Sequence, residues 1–69
     1  MNMESALTIK FADVKRERSF AINKDLTLSK AIRFAKSHLS YDNFTAYWIF
    51  DREGNELVMG TTQSTFFKN

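Results

Sequence analysis

Few residues in this chain have the chemistry for catalysis. His38 is the single histidine and cysteine is absent, so a serine or threonine nucleophile would depend on that one imidazole for activation. His38 falls near the end of a helical stretch, where a charged imidazole merely complements the helix C-terminus. Asp51 and Glu53 are close in sequence, as a general acid and base would be, but they sit at a hairpin turn, which recruits acidic side chains for backbone hydrogen bonds. Gly54 and Gly60 are isolated and match no phosphate-cradling loop. One histidine and no thiol leave a metal site short of ligands. The chain reads as a non-enzymatic protein without a cofactor.

Binding chemistry is better represented. Lys30, Arg33 and Lys36 step along one side of a helical stretch, and Lys15, Arg16 and Arg18 crowd a short polar segment. Together they offer a basic surface for phosphates or for an acidic protein. The overall charge is modest, however: 10 Lys and Arg against 8 Asp and Glu give +2, far from the concentrated positive charge typical of nucleic-acid binders. The second resource is the run "NFTAYWIFDREG", where Phe44, Tyr47, Trp48 and Phe50 follow one another closely. Exposed rings of this kind anchor protein interfaces, or stack on bases when cations lie beside them.

The elements that position these groups follow from periodicity. Ala6 to Ala12 alternates, with Leu7, Ile9 and Phe11 on one side and Thr8 and Lys10 on the other, as a half-buried strand does. Asp13 to Arg18 reads as a hairpin connection, and Ser19 to Asn23 resumes the alternation with Phe20 and Ile22 inward. Thr27 is suited to cap a helix over Leu28 to Leu39, with Leu28, Ile32, Ala35 and Leu39 on one stripe, Ala31 beside them, and Phe34 and His38 on its flank. Thr45 to Asp51 has strand composition, Arg52 to Asn55 forms a turn with Gly54 at positive φ, and Glu56 to Gly60 returns as a strand. Ser64 to Lys68 makes a short last strand after a turn at Gly60 to Gln63. The expectation is one α+β domain over residues 1–69, of order ββαβββ, with an antiparallel five-stranded sheet and one helix packed on one face.

A single helix covers a single face. With Tyr47 and Ile49 assigned to the covered side, Phe44, Trp48 and Phe50 fall on the uncovered side, with Val58 and one of Phe66 or Phe67 as neighbours. Burying one large apolar side chain contributes about 1.5–3 kcal/mol. A chain of 69 residues buries only about 60% of its unfolded surface, so leaving several rings wet is a heavy loss. Either these rings meet another molecule, a second copy or a different protein, or the sheet curls and Met1, Asn2 and Met3 pack over them. The first ten residues lack a signal-peptide pattern and no apolar run reaches the roughly 18 residues of a membrane span, so the expected location is the cytoplasm.

The segment "LTLSKAIRFAKSHLSYDNFTAYWIFDREGNELV", from Leu26 to Val58, resembles small phage-borne ββαβββ proteins, among them certain anti-CRISPR inhibitors of type I-F surveillance complexes. The likeness rests on Thr27, Leu28, Ala31, Arg33, Ala35, Thr45, Ile49 and Gly54. It implies a stoichiometric inhibitor or modulator of a host defence complex, acting without catalysis through cations near the helix, of which Arg33 matches. The alternative is a nucleic-acid-binding module using the basic helix face and the first hairpin.

Overall fold

Alternation in the first segment builds the middle of the sheet. In the computed structural model, which describes residues 6–13, 15, 18–42 and 44–68 and only the backbone at 6, 18, 41 and 42, strand β1 (Ala6–Asp13) is flanked on both sides. Strand β2 (Arg18–Asp25) follows, then helix α1 (Leu28–Asp42) and strands β3 (Ala46–Phe50), β4 (Glu56–Gly60) and β5 (Thr65–Phe67). Every neighbouring pair is antiparallel and the sheet runs β2-β1-β3-β4-β5. Because β1 opposes both its neighbours, β2 and β3 run parallel to each other, and α1 carries the chain between them over β1. This split β-α-β unit, extended by two further strands, is the expected α+β fold of order ββαβββ.

Residues directly opposite across strands share a face, and the buried ones do so consistently. Ile9 pairs with Ile49, which pairs with Val58, and Phe11 pairs with Tyr47. These five are fully buried, and with Leu7 they meet Ala31, Ala35 and Leu39 of α1. Alanines on the helix let its backbone approach the sheet, and the sheet supplies the larger groups. The Thr27 hydroxyl accepts a hydrogen bond from the Lys30 amide at 3.3 Å, satisfying one of the amides that a helix start leaves without a partner. The helix continues past Leu39 to Asp42, since Ser40, Tyr41 and Asp42 include neither glycine nor proline to stop it.

Two assignments made from alternation alone are corrected. Phe44 does not share the uncovered face with Trp48 and Phe50: its ring centroid lies 5.6 Å from Phe11 and 6.5 Å from His38 of the helix. Strand pairing begins only at Ala46. The chain bends at Thr45, whose amide and hydroxyl both donate to the Ala12 carbonyl at 2.9 and 3.0 Å, so two-residue periodicity does not reach back to Phe44.

Val58 likewise belongs to the core. The β3–β4 register steps from Ile49↔Val58 to Phe50↔Glu56, leaving Leu57 as an additional residue that also packs toward the core. Such a bulge breaks strict alternation. Gly60 is the last residue of β4, as expected, and the turn closed by the Thr61 amide on the Ser64 carbonyl follows it directly. A methyl group there would lie 2.6 Å from the Tyr47 hydroxyl and 2.7 Å from the Ser64 carbonyl oxygen, so only glycine lets the tyrosine ring cross that strand.

Candidate functional site

The sheet face opposite the helix is organised by cross-strand rows. Lys10 pairs with Ala21 on one side and Trp48 on the other, Trp48 with Met59, and Met59 with Phe66. One row of side chains thus crosses all the strands as Ala21, Lys10, Trp48, Met59 and Phe66. The next row is Asn23, Thr8, Phe50 and Glu56, pinned where the Thr8 hydroxyl donates to the Asn23 side-chain oxygen at 2.8 Å. Small side chains at Ser19, Ala12 and Ala46 form a third row. Where they meet the larger rings, a shallow depression of about 270 Å³ is lined by Lys10, Ala12, Ser19, Trp48, Phe50 and Glu56. It combines two aromatic rings, one cation and one anion.

Exposure on this face is graded. Trp48 and Phe50 are half-buried and Phe66 is 57% exposed, while the other exposed large apolar groups, Phe67 at 62% and Phe20 at 45%, lie at the margins of the helix side. Phe66 extends the aromatic row to the outer strand, whereas Phe67 pairs with Val58 and so belongs to the helix side. Sequence reasoning found Trp48 and Phe50 but did not join Lys10, Met59 or Glu56 to them. The reason is physical: β1 lies beside β3 through a pairing that spans α1, which no local pattern encodes, and the bulge at Leu57 takes the β4 residues off strict alternation. Met1, Asn2 and Met3, considered as a cover for this face, lie outside the described residues.

The basic groups do not gather into one patch among the described residues. Lys30 and Arg33 are exposed on the outer side of α1, while Lys36 is half-buried on the flank it shares with Ile32. Lys15 is exposed in the β1–β2 connection, Arg16 lies outside the described residues, and Arg18 opens β2 opposite Asp13. That connection sits at the end of the sheet where Phe11 meets His38. Lys30 stands in the first helical turn, eight residues and therefore about 12 Å back along the axis. Lys24 differs in kind, for it places its ammonium 5.2 Å above the Phe34 ring, a cation–π contact that holds the β2 edge to the helix.

The residues with catalytic potential have structural positions. The His38 imidazole lies 4.7 Å from Phe11, 5.6 Å from Phe34, 6.0 Å from Phe20 and 6.5 Å from Phe44, so it is one ring in an aromatic cluster that closes the core at the β2 edge. Asp51 closes the β3–β4 turn. One carboxylate oxygen accepts the amides of Glu53 and Asn55, each at 2.9 Å, and the other accepts the Asn55 side-chain amide at 3.2 Å. These bonds, the Asn55 amide first, hold its pKa below the usual carboxylate range, and Gly54 supplies φ 89. Glu53 is exposed and contributes its backbone. Asp13, buried at 3% exposure, closes β1 on the helix side. Among the described residues no three His, Cys, Asp or Glu side chains converge as metal ligands, and no helix is long and apolar enough to cross a membrane.

No family profile, no curated protein sequence and no solved structure matches this chain.

Proposed function

We propose that the chain is a small non-enzymatic binding protein that works by stoichiometric protein–protein contact, and that the uncovered face of its sheet is the principal contact surface. The observation that carries this reading is the row Trp48, Met59 and Phe66 beside Phe50, apolar and continuous on the face that α1 leaves bare, with Lys10 at its β1 end. Tryptophan and aromatic neighbours with a polar rim are the composition of interface anchors. Lys30 and Arg33, outward on the helix, form a second contact surface suited to acidic protein. The likeness of Leu26 to Val58 to phage-borne inhibitors extends the reading: the target class is a host defence complex, which the chain inhibits or modulates in the cytoplasm by occupying a working surface.

The separation of Lys15 from Lys30, and of both from Trp48, favours protein over nucleic acid as the partner. A titration of labelled single-stranded and duplex oligonucleotides across a salt series tests it. The expected result is no binding at physiological salt. Affinity that falls steeply with salt and vanishes in Arg33→Glu, with Trp48→Ala unaffected, would replace the proposal with the nucleic-acid-binding alternative.

A further inference from the structure

We infer that the uncovered face is self-complementary and that its occupant is a second copy of this chain. The inference rests on reading that face as a protein interface and names the partner. Its basis is the placement of two opposite charges around the rings. Lys10 stands on β1 beside Trp48, and Glu56 stands on β4 beside Phe50, so the two flank β3, the middle strand of the sheet. They are two strand spacings apart laterally and two residues apart along the strand, a separation of about 12 Å.

A two-fold axis lying in the plane between two such faces, and running across the line from Lys10 to Glu56, sets each lysine over the other copy's glutamate. The same operation brings Trp48 and Phe50 against their counterparts. Isologous contacts require this property: each charge finds its complement on an identical surface. A foreign partner would need no such balance of signs on one patch. The other charged residue that strand register places on this side, Asp25, ends β2 at the far corner, outside the contact.

The size of the face points to a weak contact. At a strand spacing of about 4.8 Å and about five residues of strand at ~3.3 Å each, it measures roughly 20 by 17 Å, below the ~800 Å² per partner of a standard interface. The dimer is therefore weak, with dissociation in the micromolar range.

Charge exchange tests the inference in the intact chain. Sedimentation from about 1 μM to 1 mM covers that range and is expected to show a monomer–dimer equilibrium. Lys10→Glu and Glu56→Lys each place like charges across the axis and are expected to weaken it at least about tenfold. The double variant K10E/E56K restores the pairing and is expected to recover most of the loss. An equimolar mixture of the two single variants is likewise expected to recover association, because one chain then carries two glutamates and the other two lysines, so both crossed pairs are Glu against Lys. Circular dichroism melts check that each variant is folded. A wild-type chain that stays monomeric throughout, or a double variant no better than the singles, overturns self-association. Neither outcome touches the proposed function, which the oligonucleotide titration decides separately.

Discussion

The two faces of the sheet are made from the same strands and use their residues oppositely. On the helix side, Ile9, Phe11, Tyr47, Ile49 and Val58 are fully buried and in contact with one another and with α1. On the other side, Trp48 and Phe50, which alternate with Tyr47 and Ile49 along β3, are half-buried and accompanied by Lys10, Glu56 and small residues. Burial of the first set accounts for folding. The second set is as apolar in its rings but is bordered by charge, which is the composition of a surface that meets protein after folding. On the proposed reading, adjacent positions on one strand divide stability from binding.

The sharpest way to break this comparison is to truncate neighbours on β3. Ile49→Ala removes a fully buried side chain and is expected to cost about 2–5 kcal/mol, a large part of what a domain this small possesses. Trp48→Ala is expected to cost less than Ile49→Ala in urea unfolding while removing the concentration dependence of molecular mass. Equal losses of stability would show that both faces are core. Next in size is Gly60→Ala, where the added methyl meets Tyr47 and the Ser64 carbonyl; overpacking of this kind costs about 1–3 kcal/mol. Gly54→Ala, with nothing within 4 Å, suffers only from its positive φ and is expected to lose about 1 kcal/mol. Similar values for the two glycines would mean that Tyr47 moves aside freely.

Smaller effects are expected at the element ends. Thr27→Ala removes the helix cap and is expected to cost about 1 kcal/mol by chemical denaturation, whichever face the helix covers. Asp51→Ala acts through the turn, and its signature is pH. Because the folded-state pKa of Asp51 is depressed, its contribution is present above the ordinary value of 3.8 and is lost as the pH falls through the lower folded value. Acid titration of stability is therefore expected to be shallower in Asp51→Ala than in the wild type, and an unchanged slope would assign the turn's stability to Gly54 and the backbone bonds alone.

Where periodicity was unbroken, the sequence was readable. Leu7, Ile9 and Phe11 alternate and are buried, Ala31, Ala35 and Leu39 recur at helical spacing and are buried, and Thr27 caps the helix as its hydroxyl suggests. The failures lie where periodicity was interrupted. Thr45 bends the chain against Ala12, carrying Phe44 to the helix side, and Leu57 adds a residue to β4, turning Val58 inward. Asp13, expected in the hairpin connection, is instead the buried end of β1. A bend or a bulge shifts every subsequent side chain to the other face, and neither has a local signature in "DNFTAY" or "NELVMG". The candidate site was half legible for a related cause: Trp48 and Phe50 stand out by type, with Phe66 or Phe67 beside them, but Lys10, Met59 and Glu56 join them only through strand pairing.

By itself, the amino-acid order determined the identity and sequence of the elements, because hydrogen bonding and side-chain period act over a few neighbouring residues. It also determined the poverty of catalytic groups, since side chains that are not encoded cannot be assembled. The tertiary structure alone decided which strand lies beside which. Placing β1 between β2 and β3 set a lysine against Trp48 and a glutamate beyond it, and cost the entropy of closing a loop around the whole helix. Contacts at that separation are chosen by the burial of the complete core, so the arrangement of charge and ring on the bare face exists only once the chain has folded.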